Sequence, residues 1–153
     1  MNRLKQRRVM VLASGGGHWM QMLRLRSAFE GLDVFYVGVN DMYRSDVSPS
    51  DFYAVKDVSR MHKLNLVATV TKLIWILLKE RPVAVLTTGS LPGLIALRLG
   101  HLMGAKTAWI DSIANVEALS LSGSKAGAVA DLWLTQWQHL SKPGGPYYGG
   151  SVL

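Results

Sequence analysis

The sequence contains no cysteine. This absence excludes disulfide bonds, thiolate metal sites and thiol nucleophiles, and it is compatible with a reducing cytoplasm. Long apolar runs are missing near the start, where the run at 9–13 is too short for the core of a signal peptide, so we expect no export. The 153 residues predict a single domain, 1–153, with one core.

Acidic residues are scarce, with 10 Asp and Glu against 17 Lys and Arg, and the formal net charge is +7. The positive charges cluster in a basic tail at residues 1–7 and around an apolar segment in the middle of the chain. The basic residues around that segment are Arg60, Lys63, Lys72, Lys79 and Arg81. No nucleic-acid recognition motif is visible, and the aromatic residues are not interleaved with the basic ones, so we expect no nucleic-acid partner.

Strand-like and helix-like segments alternate along the chain. We predict strands at 8–14, 34–37, 52–55, 83–87, 106–111 and 131–135, and helices at 20–29, 64–80 and 93–103. Segment 40–51 is predicted to be an exposed loop, and 142–146 opens a turn-rich tail. Apolar strands separated by helices indicate a parallel sheet covered on both faces, so the predicted fold class is α/β with a Rossmann-like parallel sheet.

Two glycine-containing turns follow predicted strands. The first turn contains Gly15, Gly16 and Gly17, and the second contains Thr88, Gly89 and Ser90. The carboxyl ends of parallel strands share one edge of a sheet, and open sheets bind ligands there, so both turns are expected at one rim. Backbone amides in such turns suit phosphate or sugar oxygens, although a tight turn without a ligand remains the alternative.

Neither turn carries a known nucleotide fingerprint. The first lacks the last glycine of the dinucleotide motif, and no acid stands at the end of the second strand, at Val37 and Gly38. A Walker loop would need Lys followed by Ser or Thr after the glycines. These departures disfavour a nicotinamide-dependent oxidoreductase.

Two titratable residues stand at the expected rim. His18 follows the first turn beside a helix amino terminus, where a neutral imidazole is suited to act as a general base or to cap the turn structurally. Asp111 ends the predicted fifth strand. The histidines have no metal-ligand spacing, and we expect no metal and no cofactor.

The middle helix is apolar beyond the stripe that a sheet-packing helix needs. Its most apolar part includes Leu73, Ile74, Trp75 and Leu78. The helix is too short to span a bilayer, since fifteen residues rise about 22 Å against about 30 Å of hydrocarbon. We therefore predict that 62–80 either lies on an anionic membrane surface or is covered by another subunit.

Five ordered blocks carry a family resemblance that extends over residues 8–153. They are Ser14-Gly-Gly-Gly-His18, Thr87-Thr-Gly-Ser-Leu-Pro-Gly93, Ile110-Asp-Ser-Ile-Ala-Asn115, Leu119-Ser-Leu-Ser-Gly123 and Ala130-Asp-Leu-Trp-Leu-Thr-Gln-Trp137. They resemble the membrane-associated subunit of two-chain UDP-sugar glycosyltransferases, such as PssD-type exopolysaccharide proteins and the anchoring subunit of the eukaryotic N-glycan UDP-N-acetylglucosamine transferase. The chain is more distantly similar to the amino-terminal domain of MurG, a GT-B enzyme with a lipid-linked acceptor.

The resemblance implies the amino-terminal, acceptor-side half of a GT-B glycosyltransferase. A partner subunit would supply the UDP-sugar site, and the acceptor would be a polyprenyl-diphosphate-linked saccharide at the cytoplasmic face of the cell membrane. The tail, 142–153, would dock on that partner, and activity would need both chains. A non-catalytic membrane adaptor that recruits a catalytic partner is the alternative function.

The resemblance also implies roles for individual residues. His18 would deprotonate the acceptor hydroxyl, and Asp111 would orient that hydroxyl or His18. The substrate-binding residues would be Gly15, Gly16, Gly17, Thr88, Gly89, Ser90 and Ser112, with the turn residues acting through backbone amides. The family often has Glu where this chain has Asp111, and a basic residue near Asn115.

Overall fold

The computed structural model describes residues 7–58 and 63–152. Seven parallel strands form one sheet in the order β3-β2-β1-β4-β5-β6-β7. The strands are β1 (Arg8–Leu12), β2 (Asp33–Gly38), β3 (Phe52–Ala54), β4 (Ala84–Thr87), β5 (Lys106–Ile110), β6 (Leu132–Thr135) and β7 (Tyr147–Tyr148). The α-helices are α1 (Gly17–Arg24), α2 (Lys63–Glu80), α3 (Leu91–Leu102) and α4 (Leu121–Ala126).

The predicted fold class is confirmed, and four details differ. Helix α1 is shorter than predicted and is followed by a separate 3-10 helix, Arg26–Phe29. The predicted loop 40–51 contains a 3-10 helix, Asp41–Val47, whose Val47 is fully buried. Helix α4 and strand β7 were not predicted, because each is short and rich in serine, glycine or tyrosine rather than in periodic apolar residues.

Side chains alternate between two cores on opposite faces of the sheet. Met10 and Leu12 of β1 pack with α2, α3 and α4, whereas Val11 and Ala13 pack with α1 and the 3-10 helix Asp41–Val47. This two-residue period explains why the strand reads as a continuous apolar run: both of its faces are covered.

The order of the strands reverses between β1 and β4. These two strands are neighbours in register, with Leu12 opposite Thr87, although the chain visits β2 and β3 between them. The turns that follow them therefore start side by side at the carboxyl edge. In doubly wound sheets this switch point is where ligands bind.

Helix α2 has two apolar faces. Leu73, Ile76 and Leu77 are buried against the sheet, and Thr69 is buried with its hydroxyl donating to the Lys56 carbonyl. Ile74, Trp75 and Leu78 lie on the other side, with 38%, 51% and 56% of their surface exposed. The prediction that Leu73 contacts a membrane is wrong, because this side chain is fully buried in the core.

The membrane-contact prediction for the three exposed residues stays a prediction. Among the helices of 7–58 and 63–152, none is long and apolar enough to cross a bilayer. Part of the predicted helix 62–80, His62, lies outside the described residues, as does Arg60.

The carboxyl-terminal tail packs on this chain's own sheet. Strand β7 pairs with β6, the Ser151 hydroxyl donates to the Gln136 carbonyl at 2.7 Å, and the Val152 amide donates to Gln136 Oε1 at 2.7 Å. Tyr147 and Tyr148 keep 51% and 43% of their surface exposed. Docking of 142–153 on a partner stays a prediction, and the structure shows that these contacts would come from the edge of the sheet rather than from a free tail.

Arg8, beside the predicted basic tail, forms ion pairs within the fold. Its guanidinium pairs with Asp33, Asp51 and Glu80 and joins the first three strands to the end of α2. Residues 1–6 of that tail lie outside the described residues.

At the other side of the sheet, a backbone hydrogen bond from Thr107 lowers the pKa of Asp131 below its ordinary value.

Candidate functional site

The first glycine turn is held by an aromatic contact that the sequence did not reveal. Gly16 has a φ of 63°, which favours glycine, and its amide donates to the Tyr43 hydroxyl at 3.2 Å. The Tyr43 ring stacks on Trp19 with their centroids 4.5 Å apart, and Trp19 Nε1 donates to Asp46 at 2.9 Å. The segment predicted to be an exposed loop therefore fixes the start of α1.

The second turn uses most of its own hydrogen-bonding groups. The Thr88 amide donates to the Leu12 carbonyl at 3.4 Å, and the Gly89 amide donates to Thr87 Oγ1 at 3.2 Å. Both amides thus have acceptors within the fold, and the two residues shape the turn. Their role in holding substrate oxygens stays a prediction. Ser90 remains, with a strained φ of 80° at the start of α3.

The two turns are joined by reciprocal hydrogen bonds between His18 and Thr88. His18 Nδ1–H donates to the Thr88 carbonyl at 3.0 Å, and the Thr88 hydroxyl donates to the His18 carbonyl at 2.8 Å. Because a carbonyl oxygen only accepts, the first bond places the proton of the neutral imidazole on Nδ1 and leaves the lone pair on Nε2. This is the tautomer that a general base needs.

Gly89 makes room for the imidazole. A Cβ atom built on Gly89 would lie 2.6 Å from His18 Cε1 and 2.7 Å from Nδ1. Gly89 also has a φ of 132°, a conformation that L side chains rarely adopt. The absence of a side chain at this position therefore sets where His18 sits.

A cleft of about 410 Å³ opens beside His18, between the start of α3 and the loop that leads into α4. Serines, an asparagine and a lysine share its lining with aliphatic side chains. The lining residues are His18, Val58, Ser90, Leu91, Leu94, Ser112, Ala114, Asn115, Ser120, Leu121, Ser122 and Lys125.

Three of the predicted site residues line this cleft: His18, Ser90 and Ser112. The Ser112 hydroxyl accepts from the Ala114 amide at 3.2 Å and so shapes the loop after β5. The glycines Gly15, Gly16 and Gly17 lie in the neighbouring turn and do not line the cleft. Their binding role stays a prediction.

Asp111 is buried behind the cleft, with 1% of its surface exposed. Its carboxylate accepts from Trp109 Nε1 at 3.1 Å, from Asn115 Nδ2 at 3.0 Å, and from the Ser120 amide and hydroxyl at 3.1 and 2.7 Å. No hydrogen bond joins Asp111 to His18. These contacts make Asp111 a positioning residue for the loop after β5, and a direct role in catalysis stays a prediction.

Two glutamines that the sequence analysis did not identify hold the loop after β5 through hydrogen bonds. Gln136 Nε2 donates to the Asp111 backbone carbonyl at 2.9 Å, and Gln21 Oε1 accepts from the Ile113 backbone amide at 3.1 Å. Both glutamines are buried. Gln136 follows directly after β6, and a polar residue at that position is the one local signal that could have indicated its role.

Ser120 and Asn115 were also missed as site residues. Ser120 Oγ accepts from the Gly123 amide at 2.8 Å and thereby caps α4. A Cβ atom on Gly123 would lie 2.3 Å from Asp111 Oδ1, so the close approach of α4 to the buried carboxylate requires glycine there.

Across 7–58 and 63–152, no group of three or more His, Asp or Glu side chains is placed to hold a metal ion.

No protein-family model matches the sequence, and the curated proteins include no significant match. The fold is similar to solved structures. MurG from Acinetobacter baumannii superposes with a TM-score of 0.70 at 12% identity, covering 95% of this chain and 44% of that chain. UDP-N-acetylglucosamine 2-epimerase from Rickettsia bellii gives a TM-score of 0.66 at 13% identity, covering 86% and 39%.

A third similar structure is the UDP-GlcNAc 2-epimerase of Methanocaldococcus jannaschii in complex with UDP-GlcNAc and UDP. Its TM-score is 0.65 at 12% identity, covering 84% of this chain and 40% of that chain. At these identities the likeness shows the fold, a Rossmann-like domain of the MurG and GT-B type. The chain spans less than half the length of each of these structures.

Proposed function

We propose that this chain is the acceptor-side component of a glycosyltransferase that transfers a sugar from a UDP-sugar to a polyprenyl-diphosphate-linked saccharide. The observation that carries the proposal is the His18 tautomer at the switch point, with Nδ1–H bonded to the Thr88 carbonyl and Nε2 left with its lone pair beside a cleft. The similarity of the fold to MurG and the five sequence blocks support the choice of reaction.

In this reaction His18 acts as the general base. The acceptor hydroxyl oxygen attacks the anomeric carbon of the donor sugar, and the bond from that carbon to the UDP oxygen breaks with its electron pair. The hydroxyl proton passes to His18 Nε2. The Thr88 carbonyl stabilises the resulting imidazolium, because it accepts from Nδ1–H throughout.

The loop after β5 positions the acceptor. Asn115 and Ser120 line the cleft and are both hydrogen-bonded to the buried Asp111 carboxylate. Their remaining donors and acceptors are therefore held at fixed positions opposite α3. Preorganised polar groups of this kind suit the hydroxyls of a saccharide.

A partner chain would supply the UDP-sugar site. The proposal rests on the resemblance to two-chain transferases, in which donor and acceptor sites face each other across a cleft. The exposed Tyr147 and Tyr148 at the edge of the sheet are candidate anchors for that partner, because aromatic side chains dominate many interfaces.

The outer face of α2 would hold the protein on the cytoplasmic face of the membrane. Ile74, Trp75 and Leu78 are exposed there, and Lys79 Nζ lies 4.9 Å from the centroid of the Trp75 ring. Exposed apolar residues flanked by lysines fit an anionic lipid surface. Coverage of the same face by another subunit is the competing explanation.

A non-catalytic adaptor is the second candidate function, and the exposed face of α2 favours it equally. It differs from the first in what His18 does, because an adaptor needs no base. A substitution at His18 that keeps the hydrogen bond to Thr88 therefore distinguishes the two functions.

The proposal is tested by label transfer. The candidate partner, the protein that co-purifies with this chain, is expressed together with it. Membranes that carry both proteins are then supplied with a panel of tritiated UDP-sugars. We expect label in the lipid extract when both chains are present and background label with either chain alone. Robust transfer by this chain alone would reject the division between two subunits, and no transfer by the co-purified pair with any sugar would reject the reaction.

A further inference from the structure

The side chain of Lys125 lines the cleft beside His18 and has no role in the reaction proposed above. Among the described residues that line it, Lys125 is the one Lys or Arg, and no Asp or Glu lines it. Lys125 forms no salt bridge within 7–58 and 63–152. A lysine without a carboxylate partner at a cleft is placed to receive an anion.

The backbone that carries Lys125 is held firmly. Helix α4 begins at the Ser120 cap, and Ser120 is hydrogen-bonded twice to the buried Asp111 carboxylate. The fit of Gly123 against that carboxylate fixes the helix at a second point. Lys125, two residues farther on, therefore starts from a defined position on the wall opposite α3.

The start of α3 forms the opposite wall. Ser90 Oγ is buried and has no hydrogen-bond partner among the described residues. It stands at the start of the 12-residue helix α3, whose positive end favours negative charge. Lys125 therefore faces the positive end of this helix across the cleft.

The remaining lining is aliphatic. Leu91 and Leu121 keep 38% and 63% of their surface exposed, and Val58 and Leu94 complete the apolar part. A small soluble anion would leave these side chains in water. A ligand with a charged head and an apolar chain would satisfy both parts of the cleft.

We propose that Lys125 supplies the counter-charge for the phosphate groups of a prenyl-linked acceptor, with Leu91 and Leu121 contacting the first isoprene units. This inference rests on the proposed function and deepens it by assigning the anionic head of the acceptor to the cleft between α3 and α4.

Calorimetric titration with farnesyl diphosphate tests the inference on the purified chain. We expect Lys125→Met to weaken binding by about tenfold or more, since a hydrogen bond to a charged group is worth about 1.5–3 kcal/mol. Lys125→Arg should retain most of the affinity. The matched control is Lys106→Met, an exposed lysine at the start of β5 and hence at the opposite edge of the sheet.

Two further ligands separate the contributions of head and chain. Farnesol, which has no charge, should bind weakly and equally to the wild-type chain and Lys125→Met. Inorganic diphosphate should bind more weakly than farnesyl diphosphate, and equal affinity would show a phosphate site without a prenyl subsite and reject the role of the leucines. Raising the salt concentration should weaken farnesyl diphosphate binding to the wild type more than to Lys125→Met.

The outcomes distinguish this inference from the proposed function. Unchanged farnesyl diphosphate binding by Lys125→Met rejects the counter-charge, and label transfer by the co-purified pair would then leave the function standing. Absence of saturable binding by the wild-type chain rejects the prenyl diphosphate site itself.

Discussion

Asp111→Asn is the substitution that best separates positioning from catalysis. The Asp111 carboxylate is buried and accepts four hydrogen bonds between 2.7 and 3.1 Å. The asparagine amide keeps the shape of the side chain but replaces one accepting oxygen with a donor. At least one of the four bonds is then lost, and an N–H group of the new amide faces another donor.

The expected cost follows from these bonds. A hydrogen bond to a charged group contributes about 1.5–3 kcal/mol, and a buried donor left without an acceptor costs about 1–3 kcal/mol. We expect Asp111→Asn to lower the free energy of unfolding by about 2–4 kcal/mol in total. For a domain of this size, that corresponds to a fall in Tm of about 4–16 °C.

The assay combines thermal unfolding with label transfer at a temperature where both proteins are folded. Glu117→Gln is the control, because it removes an exposed acid from the same loop and should leave Tm nearly unchanged. A positioning role predicts a lowered Tm with reduced transfer. An unchanged Tm together with abolished transfer would refute it and make Asp111 a catalytic carboxylate.

Four further substitutions have expected outcomes. Gly89→Ala should lower transfer by at least tenfold because its Cβ displaces the imidazole, whereas Gly104→Ala, with a φ of 83° and open space around it, should change stability alone, as transfer and unfolding assays would show. Leu73→Ala should cost about 2–5 kcal/mol in urea unfolding. Trp75→Gln should instead reduce flotation with anionic liposomes and lower the unfolding free energy by less than Leu73→Ala does, because Trp75 is 51% exposed and contacts Tyr53 at its edge. Unchanged flotation with a loss of stability as large as that of Leu73→Ala would assign the outer face of α2 to the core. Because the pKa of Asp131 is lowered by folding, its contribution to stability should be present at neutral pH and lost as pH falls below about 4, and Asp131→Asn should flatten that part of the pH profile.

The sheet and its switch point could be predicted from local patterns. Continuous apolar strands, glycine turns after two of them and the helices between them determine a doubly wound sheet, and the turns then meet at one edge. Helix α2 was recognised because its apolar residues exceed one stripe, but which of them face outward depends on packing: Leu73 and Ile74 are adjacent in sequence and have opposite environments.

The interior of the site could not be predicted for a different reason. Whether a backbone amide is available depends on its neighbours in space, and the Thr88 amide is taken by a carbonyl of β1. Gln21 and Gln136 reach the loop after β5 from distant parts of the chain. Strand β7 is two residues long and exists because β6 offers an edge, so no local pattern identifies it.

His18→Asn in the label-transfer assay is the most direct test of the central claim. Asparagine places its amide nitrogen where Nδ1 lies, so the bond to the Thr88 carbonyl is retained while the basic Nε2 is removed. We expect transfer to fall by about 10²- to 10⁴-fold, with Tm and recovery of the co-purifying protein unchanged. Transfer at the wild-type rate by His18→Asn would contradict the account and leave His18 a structural link between the two turns.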